Sequence, residues 1–377
     1  MSNSIWIIDE RRLWPPKLRP TRPFGVTAIE VMRSCPLRAC FEESPGYERR
    51  MVFSGRIGTA FHKTVEDLNR LPLPSSTSDA SSLAKTLFAR HLAEQERIAD
   101  QRPRERFLPR DDARINRALE ATMGEAQRTA GRGSPPATLR SLGHPPSTGS
   151  EIPVTTKDLF IRGRVDRAEK IAGGTRIIDY KSALRPDLPE RYERQLLLYG
   201  YMWHDTFGEW PQDAYVVYPL LATWHRVEIP PVRCQAAVDE SRQLVEAVER
   251  TSRISALGQP GDVCKVCDFR PWCKTFWAFQ GESSGRDVGL QSAYWGFEGQ
   301  LEEIRRSADH FLLKIAWGRR VVTVMAECER FSHLDRAKPG WIVRALEWRL
   351  QGLRNSPRAL STPTSELFLV PSASSTL

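Results

Sequence analysis

Residues 163–181, GRVDRAEKIAGGTRIIDYK, decide the fold of this chain. The segment IAGG is typical of a tight turn, and the runs on either side of it are typical of strands. We therefore expect strands over 159–170 and 175–182 that pair as an antiparallel hairpin. Helical patterns flank the hairpin, one over about 58–68 and the other over about 190–204.

Two carboxylates and one ammonium group are expected to meet on this hairpin. Asp179 and Lys181 are two residues apart on one strand, so their side chains share a face. A turn centred between Ala172 and Gly173 pairs Asp166 with Asp179, whereas a turn centred one residue later pairs it with Lys181. Either register brings Asp166 next to one of the other two charged groups.

Carboxylates held this close repel each other unless a cation lies between them. Hard oxygen ligands suit Mg²⁺ or Mn²⁺, and Lys181 would then orient a water or neutralise charge on a phosphorane-like transition state. The alternative is a solvated hairpin whose charges pair with one another. Three further residues occur in order around the hairpin and favour a site: His62 in GTAFH, then Gln195 and Tyr199 at i and i+4 of one helix.

The series GTAFH, GRVD, IIDYK and Q-x3-Y resembles the PD-(D/E)XK nucleases of the RecB family. The nearest likenesses are AddB-type nuclease domains and CRISPR-adaptation nucleases, and the resemblance covers about residues 27–280. It implies an α/β, restriction-endonuclease-like core in which helices flank a mixed central sheet. The one departure is that Arg-Val, rather than a Pro-Asp hallmark, stands before the first aspartate.

The resemblance also implies a role for each matched residue. It assigns metal binding or catalysis to four side chains, with lysine as the catalytic residue: His62, Asp166, Asp179 and Lys181. The backbone carbonyl of Tyr180 would complete the shell of a Mg²⁺ or Mn²⁺ ion. Gln195 and Tyr199 would contact the DNA strand near the scissile phosphate.

The chain has seven cysteines, and three of them form a C-x2-C-x5-C cluster at 264–273. An odd number of cysteines in a long chain without an export signal disfavours a disulfide framework. Three thiolates need a fourth ligand, and a four-cysteine site suits either zinc or an iron–sulfur cluster. Cys234 and Cys328 are expected to be ordinary buried thiols.

Family members with an iron–sulfur cluster have one cysteine before the nuclease core, usually followed by proline, and three after it. By that resemblance a [4Fe–4S] cluster is bound by four residues: Cys35, Cys264, Cys267 and Cys273. Cys40 is an alternative to the first of these. The cluster would tie the two ends of the nuclease domain together across a long loop, which restricts the unfolded chain.

The pattern along the chain predicts three parts. Residues 1–26 are rich in arginine and proline and read as an extended basic arm. The nuclease domain follows over 27–280, with a helical insertion at about 75–130 and a loop at 131–150. A linker at Gly281–Gly285 would then lead to a β-rich domain over 286–377.

The C-terminal domain shows four strand-like runs, at 311–317, 319–328, 341–349 and 365–370. Basic residues are interleaved there with three tryptophans, a pattern that suits base stacking and phosphate tracking. We expect a small OB-like barrel that binds nucleic acid, although that fold needs five strands. The alternative is a basic β-domain used for protein docking or dimerisation.

Composition restricts the remaining possibilities. Hydrophobic residues make up 40% and charged residues 27% of the 377-residue chain, as in a globular protein. No apolar run has the length of a membrane helix, and the opening MSNSIWIIDERR lacks a signal-peptide layout, so we expect a cytoplasmic protein. The net charge of +9 is compatible with a polyanionic partner such as DNA.

The resemblance implies a metal-dependent DNA nuclease. It favours an exonuclease or end-trimming enzyme that acts on single-stranded DNA or DNA ends, in repair and recombination, phage defence or CRISPR adaptation. One alternative is a catalytically idle DNA-binding scaffold in a helicase or defence complex, although an idle site need not retain D…D-x-K complete. Another is a zinc-bound RNA-processing protein. No G-x4-GK[ST] motif is present, so a helicase would have to be a partner.

Overall fold

A computed structural model describes residues 5–9, 16, 22–71, 73–130, 148–185, 187–284, 296–353 and 356–372. Most of the predicted basic arm, residues 131–147 of the predicted loop and Gly285 of the predicted linker lie outside this part. The described residues contain eight α-helices: α1 (Val26–Ser34), α2 (Pro36–Glu42), α3 (Phe53–Arg70), α4 (Thr77–Asp100), α5 (Asp112–Ala130), α6 (Glu190–Phe207), α7 (Pro231–Arg250) and α8 (Lys274–Ser284). None of them is long and apolar enough to span a membrane.

The first sheet forms around the predicted hairpin. Its strands are β1 (Phe24–Gly25), β2 (Gly149–Thr155), β3 (Ile161–Ile171), β4 (Gly174–Tyr180), β5 (Asp213–Tyr218) and β6 (Thr223–Val227). They lie in the order β1-β3-β4-β5-β6, and β2, which is outside this path, pairs with β3. The β1–β3 and β4–β5 pairs are parallel and the others antiparallel, so the expected mixed sheet is confirmed.

The hairpin takes the first of the two registers considered. Arg167 lies opposite Ile178, and continuing this antiparallel register by one pair places Asp166 opposite Asp179. The turn is possible because Gly173 has a φ of 91°, in the left-handed region that glycine adopts without strain. Two carboxylates are therefore neighbours on adjacent strands.

Helices cover both faces of this sheet. Along β4 the side chains alternate: Ile177 packs into the cluster that contains α1, α6 and α7, whereas Ile178 and Tyr180 pack against α3 and α5. Asp179 is two residues from Ile177 and so faces α6. The helices α4 and α5 occupy the region expected to be a helical insertion, at about 75–130.

The predicted linker at Gly281–Gly285 was wrong in its described part. Residues 281–284 are not a linker, because α8 continues through them to Ser284. Glycine alone at position 281 was too weak a signal to end a helix.

The C-terminal sheet has seven strands where the sequence indicated four. They are β7 (Phe297–Arg306), β8 (His310–Trp317), β9 (Arg320–Glu327), β10 (Ile342–Leu346), β11 (Arg349–Leu353), β12 (Ser356–Leu360) and β13 (Glu366–Val370). Their linear order is β11-β12-β9-β8-β7-β10-β13, so this sheet is larger than a five-stranded OB barrel. The strands β7, β11 and β12 were missed because charged residues, glycine or proline interrupt their apolar alternation.

The base-stacking surface expected on this sheet loses two of its three tryptophans. Trp341 and Trp348 are buried in its core, and Arg344 is buried as well, so these groups are not available to bases. Phe368, on β13, packs in the hydrophobic cluster of the first sheet and its helices. Residues 5–9 also join the sheet, since Ile8 N donates to Leu369 O at 2.7 Å.

Candidate active site

The charged residues of the hairpin form a compact group. Lys181 Nζ lies 2.6 Å from Asp179 Oδ2, and both side chains are largely buried. The backbone of Lys181 is fixed by its own N–H, which donates to Val217 O at 2.8 Å and so continues the β4–β5 pairing. The end of β4 therefore holds the ammonium and the carboxylate in one geometry.

Gln195 links this pair to helix α6. Its Oε1 accepts from Lys181 Nζ at 3.0 Å, and its Nε2 donates to Asp179 Oδ1 at 3.1 Å. The same Nε2 lies 3.3 Å from the hydroxyl of Tyr199, one helical turn further on. The predicted pair on α6 thus meets the hairpin residues, and Gln195 bridges the two opposite charges.

Asp166 connects the hairpin to helix α3. Its Oδ2 accepts from the backbone N–H of Tyr180 at 2.7 Å and lies 3.7 Å from His62 Nδ1. Helix α3 approaches this closely because it carries Gly58, where a Cβ atom would meet Ser182 Oγ at 2.5 Å. The glycine of GTAFH therefore permits the approach that brings His62 to Asp166.

Burial and mutual charge perturb these groups. Burial raises the pKa of Asp166, and the nearby Asp179 carboxylate adds to the rise against the opposing effect of His62. For Lys181 burial alone would lower the pKa, but the carboxylates of Asp179 and Asp166 outweigh it and raise the pKa. Lys181 is therefore an ammonium at neutral pH in this arrangement.

Glu151, on β2, was not predicted from the sequence. Ligand atoms of His62, Glu151 and Asp166 all lie within 4.8 Å of one another. Burial and the Asp166 carboxylate raise the pKa of Glu151. Only the β2–β3 register could have revealed this residue, because pairing of Ser150 with Arg167 brings position 151 opposite Asp166.

These donors suit a divalent cation. Carboxylate oxygens and one imidazole nitrogen are ligands that Mg²⁺ or Mn²⁺ accepts. Two features fit a bound cation: the acidic groups converge from β2, β3 and β4, and Asp166 and Glu151 are both disfavoured as free anions. The chain thus offers a possible acidic metal site at the end of the hairpin.

All six predicted side chains line one open cleft of about 650 Å³. They share it with residues of α1, α3, α5, α6 and the segment after β4, among them Thr27, Ser54, Arg114, Arg185 and Tyr192. A second cavity, which Glu151 lines, shares Gly55, His62 and Ser182 with the first. The candidate residues are therefore open to a polymeric substrate rather than enclosed.

The four predicted cluster cysteines lie in one neighbourhood. Burial raises the pKa of Cys273 to about 12, and the nearby Cys267, Cys35 and Cys264 contribute to the rise. Phe276 N donates to Cys273 Sγ at 3.4 Å. Cys35 lies between α1 and α2, so the neighbourhood joins the start of the nuclease core to the segment after α7.

In the described part of the chain, no three cysteine sulfurs lie within 4.8 Å of one another, so the four-cysteine ligand set stays a prediction. Cys234 is buried as expected. Cys328 is only partly buried, and the prediction of a buried thiol was therefore wrong for this residue.

One of the comparisons with known proteins agrees with the motifs. No curated protein matches the chain. Solved structures that match include one titled as a murine DNA binding protein bound with double-stranded DNA. The two sequences are 12% identical, and the match covers 60% of this chain and 93% of that chain. The TM-score is 0.20, so the likeness does not establish a shared fold. A model of the PD-(D/E)XK nuclease superfamily matches residues 23–274, more than half of the chain. The chain therefore belongs to the PD-(D/E)XK nuclease superfamily.

Proposed function

We propose that this protein is a metal-dependent deoxyribonuclease that acts as an exonuclease or end-trimming enzyme on single-stranded DNA or DNA ends. The observation that carries the proposal is the convergence of Asp166, Asp179 and Lys181 with His62 in one open cleft. Members of the superfamily are phosphodiester hydrolases, and this cleft contains the complete set of motif residues.

His62, Asp166 and Asp179 would hold the metal together with the backbone carbonyl of Tyr180. Glu151 joins this proposed set because it lies within reach of His62 and Asp166. A divalent metal bound there would polarise the phosphate and lower the pKa of an attacking water.

Lys181 would stabilise negative charge that develops on the phosphate. The raised pKa of its amine, caused by the adjacent carboxylates against the effect of burial, keeps it protonated for that role. Gln195 would position this ammonium, since it hydrogen-bonds both Lys181 and Asp179. The hydroxyl of Tyr199 lies next to the Gln195 amide, and both side chains would contact the DNA strand near the scissile phosphate.

We further propose a [4Fe–4S] cluster bound by Cys35, Cys264, Cys267 and Cys273. Their common neighbourhood supports the set, as does the resemblance to family members that have one cysteine before the nuclease core and three after it. The cluster would fix the α1–α2 junction to the segment before α8. Such a tie holds together the elements that carry the active site.

Cleavage of end-labelled DNA tests the nuclease proposal. Wild-type protein, purified without air, is incubated with single- and double-stranded substrates in Mg²⁺, Mn²⁺ or EDTA. We expect metal-dependent degradation, and a Lys181→Ala variant should lose about a hundredfold or more in rate while its folding and DNA binding persist. Lys170→Ala is the matched control, because Lys170 is an exposed lysine of the same hairpin.

The labelled end gives the polarity of degradation, and internal cutting of circular DNA would contradict an exonuclease. If wild-type protein binds DNA but cleaves none of these substrates in any metal, the nuclease proposal fails. The idle-scaffold alternative would then be favoured. Equal rates for wild type and Lys181→Ala would refute the role given to the lysine.

A further inference from the structure

One basic residue of the cleft comes from outside the recognised motifs. Arg114 lies near the start of α5, and among the described residues that line the cleft it is the only member of the inserted helices. Asp166, Asp179 and Lys181 line the same cleft. The insertion therefore presents a cation to the space in which the proposed reaction takes place.

The guanidinium of Arg114 is not saturated by the protein. Its Nε is buried and has no hydrogen-bond partner. The nearest carboxylate oxygen, Asp111 Oδ2, lies 3.7 Å from that nitrogen, which is beyond ordinary hydrogen-bond distance. A planar group with five N–H donors thus remains able to bind an oxyanion.

Other cations of the cleft are already engaged. Lys181 is paired with Asp179 and donates to Gln195. Arg185 forms a two-bonded fork with Asp187. Of the arginine and lysine side chains that line the cleft in the described ranges, Arg114 alone makes no side-chain hydrogen bond within the protein.

The backbone around Arg114 is firmly held. Asp111 Oδ1 accepts from the N–H of Arg114 at 3.0 Å and so caps the start of α5. The next residue, Ile115, packs with Leu119 against the cluster that includes Tyr180. The arginine is therefore carried on a fixed helix end that packs near the end of β4, directly before Lys181.

We propose that Arg114 binds a phosphate of the cleaved DNA strand next to the scissile bond. The inference rests on the proposed nuclease function and extends it to the helical insertion, which would then hold substrate rather than only complete the fold. Guanidinium groups bind phosphate through two parallel hydrogen bonds, and no other ligand chemistry fits a cation beside a phosphodiesterase site as well. Arg114 would bind the substrate without taking part in the bond-breaking step. Its loss should therefore weaken DNA binding more than it lowers kcat.

The proposal is tested by combining the Arg114→Ala substitution with the removal of charge from one DNA phosphate at a time. Single-stranded DNA is prepared with one uncharged methylphosphonate at each position around the cleaved bond, and binding is measured in Ca²⁺ by fluorescence anisotropy. We expect Arg114→Ala to weaken binding of unmodified DNA by about tenfold to a hundredfold. One methylphosphonate that weakens wild-type binding should have no further effect in the variant.

Arg117→Ala is the matched control, since Arg117 is exposed on the same helix and does not line the cleft. It should bind like wild type, and both variants should melt like wild type. Two results would overturn this inference while wild type still cleaves DNA, so that the nuclease proposal stands. In the first, Arg114→Ala binds DNA as tightly as Arg117→Ala does. In the second, every methylphosphonate weakens binding of Arg114→Ala as much as it weakens binding of wild type. If wild type neither binds nor cleaves DNA, both are overturned.

Discussion

Arg104, between the two inserted helices, and Glu366, at the start of the last strand, form a buried two-bonded ion pair. Nε lies 2.7 Å from Oε1 and Nη2 lies 3.0 Å from Oε2, and each side chain is 2% exposed. Arg50 lies 3.3 Å from the same carboxylate. The pair ties the insertion to the C-terminal sheet, so that sheet docks on this chain's own nuclease core.

Removing one side of this pair should destabilise the whole molecule. A Glu366→Gln substitution leaves Arg104 and Arg50 buried without the carboxylate, and we expect it to lower the free energy of unfolding by about 3–5 kcal/mol. Urea unfolding followed by circular dichroism gives the value. Glu303→Gln is the control, because Glu303 forms only exposed ion pairs, with Lys314 and Arg305, and its replacement should change stability little. Similar unfolding midpoints for the two variants would contradict this prediction.

Metal binding should raise thermal stability through the proposed ligands. At a Mn²⁺ concentration of about 100 times Kd, wild-type protein should gain about 2.7 kcal/mol. Asp179→Asn should remove the gain, and Glu151→Gln should weaken Mn²⁺ binding by about tenfold or more. Melting curves with and without Mn²⁺ measure both effects.

Glu66→Gln is the control for the metal experiment. Glu66 lines the neighbouring cavity with Glu151 but is outside the group of three ligand residues. It should keep the wild-type response to Mn²⁺. If Glu151→Gln responds as Glu66→Gln does, then Glu151 is not a ligand, and if Asp179→Asn keeps the full gain, the proposed metal site is wrong.

The hairpin and its partners could be predicted because their signals are local. Asp166, Asp179 and Lys181 lie within one turn and two strands, and the α6 pair is one helical turn apart. Glu151 could not be found in this way, because only the β2–β3 register relates it to Asp166.

Long-range relations escaped prediction for a similar reason. Arg104 and Glu366 are 262 residues apart, and nothing local in the sequence pairs them. Trp341 and Trp348 looked like exposed stacking residues because they are interleaved with arginines. The choice between core and surface was made by the packing of the seven-stranded sheet, which burial of these rings helps to stabilise.

The cysteine set can be tested by metal content. Replacing Cys273 or Cys35 by alanine should remove most of the iron and labile sulfide from protein purified without air, and should lower its melting temperature. The reason is that a four-cysteine cluster loses a ligand that the protein cannot replace. Cys234→Ala is the control, since this thiol is buried beside Ile229 and away from the set. Iron in amounts equal to wild type in Cys273→Ala, or zinc in place of iron, would contradict the proposed cluster.

His333 should make the C-terminal sheet sensitive to mild acid. The imidazole is buried against Trp6 and hydrogen-bonded to Leu367 O, and its burial lowers the pKa to about 4 from an ordinary 6.5. Between these values the unfolded chain binds a proton that the folded chain does not, so stability falls as the pH drops below 6.5.

The loss should be about 2 kcal/mol at pH 5 relative to pH 7.5, because each pKa unit corresponds to about 1.36 kcal/mol. Urea unfolding of wild type and His333→Gln at both pH values isolates this contribution, since the other titrating groups are common to the two proteins. The variant should be less stable at pH 7.5, where it loses the stacking on Trp6, and should lose less on acidification. If both proteins lose the same unfolding free energy between pH 7.5 and pH 5, then folding does not lower the pKa of His333 and this prediction is wrong.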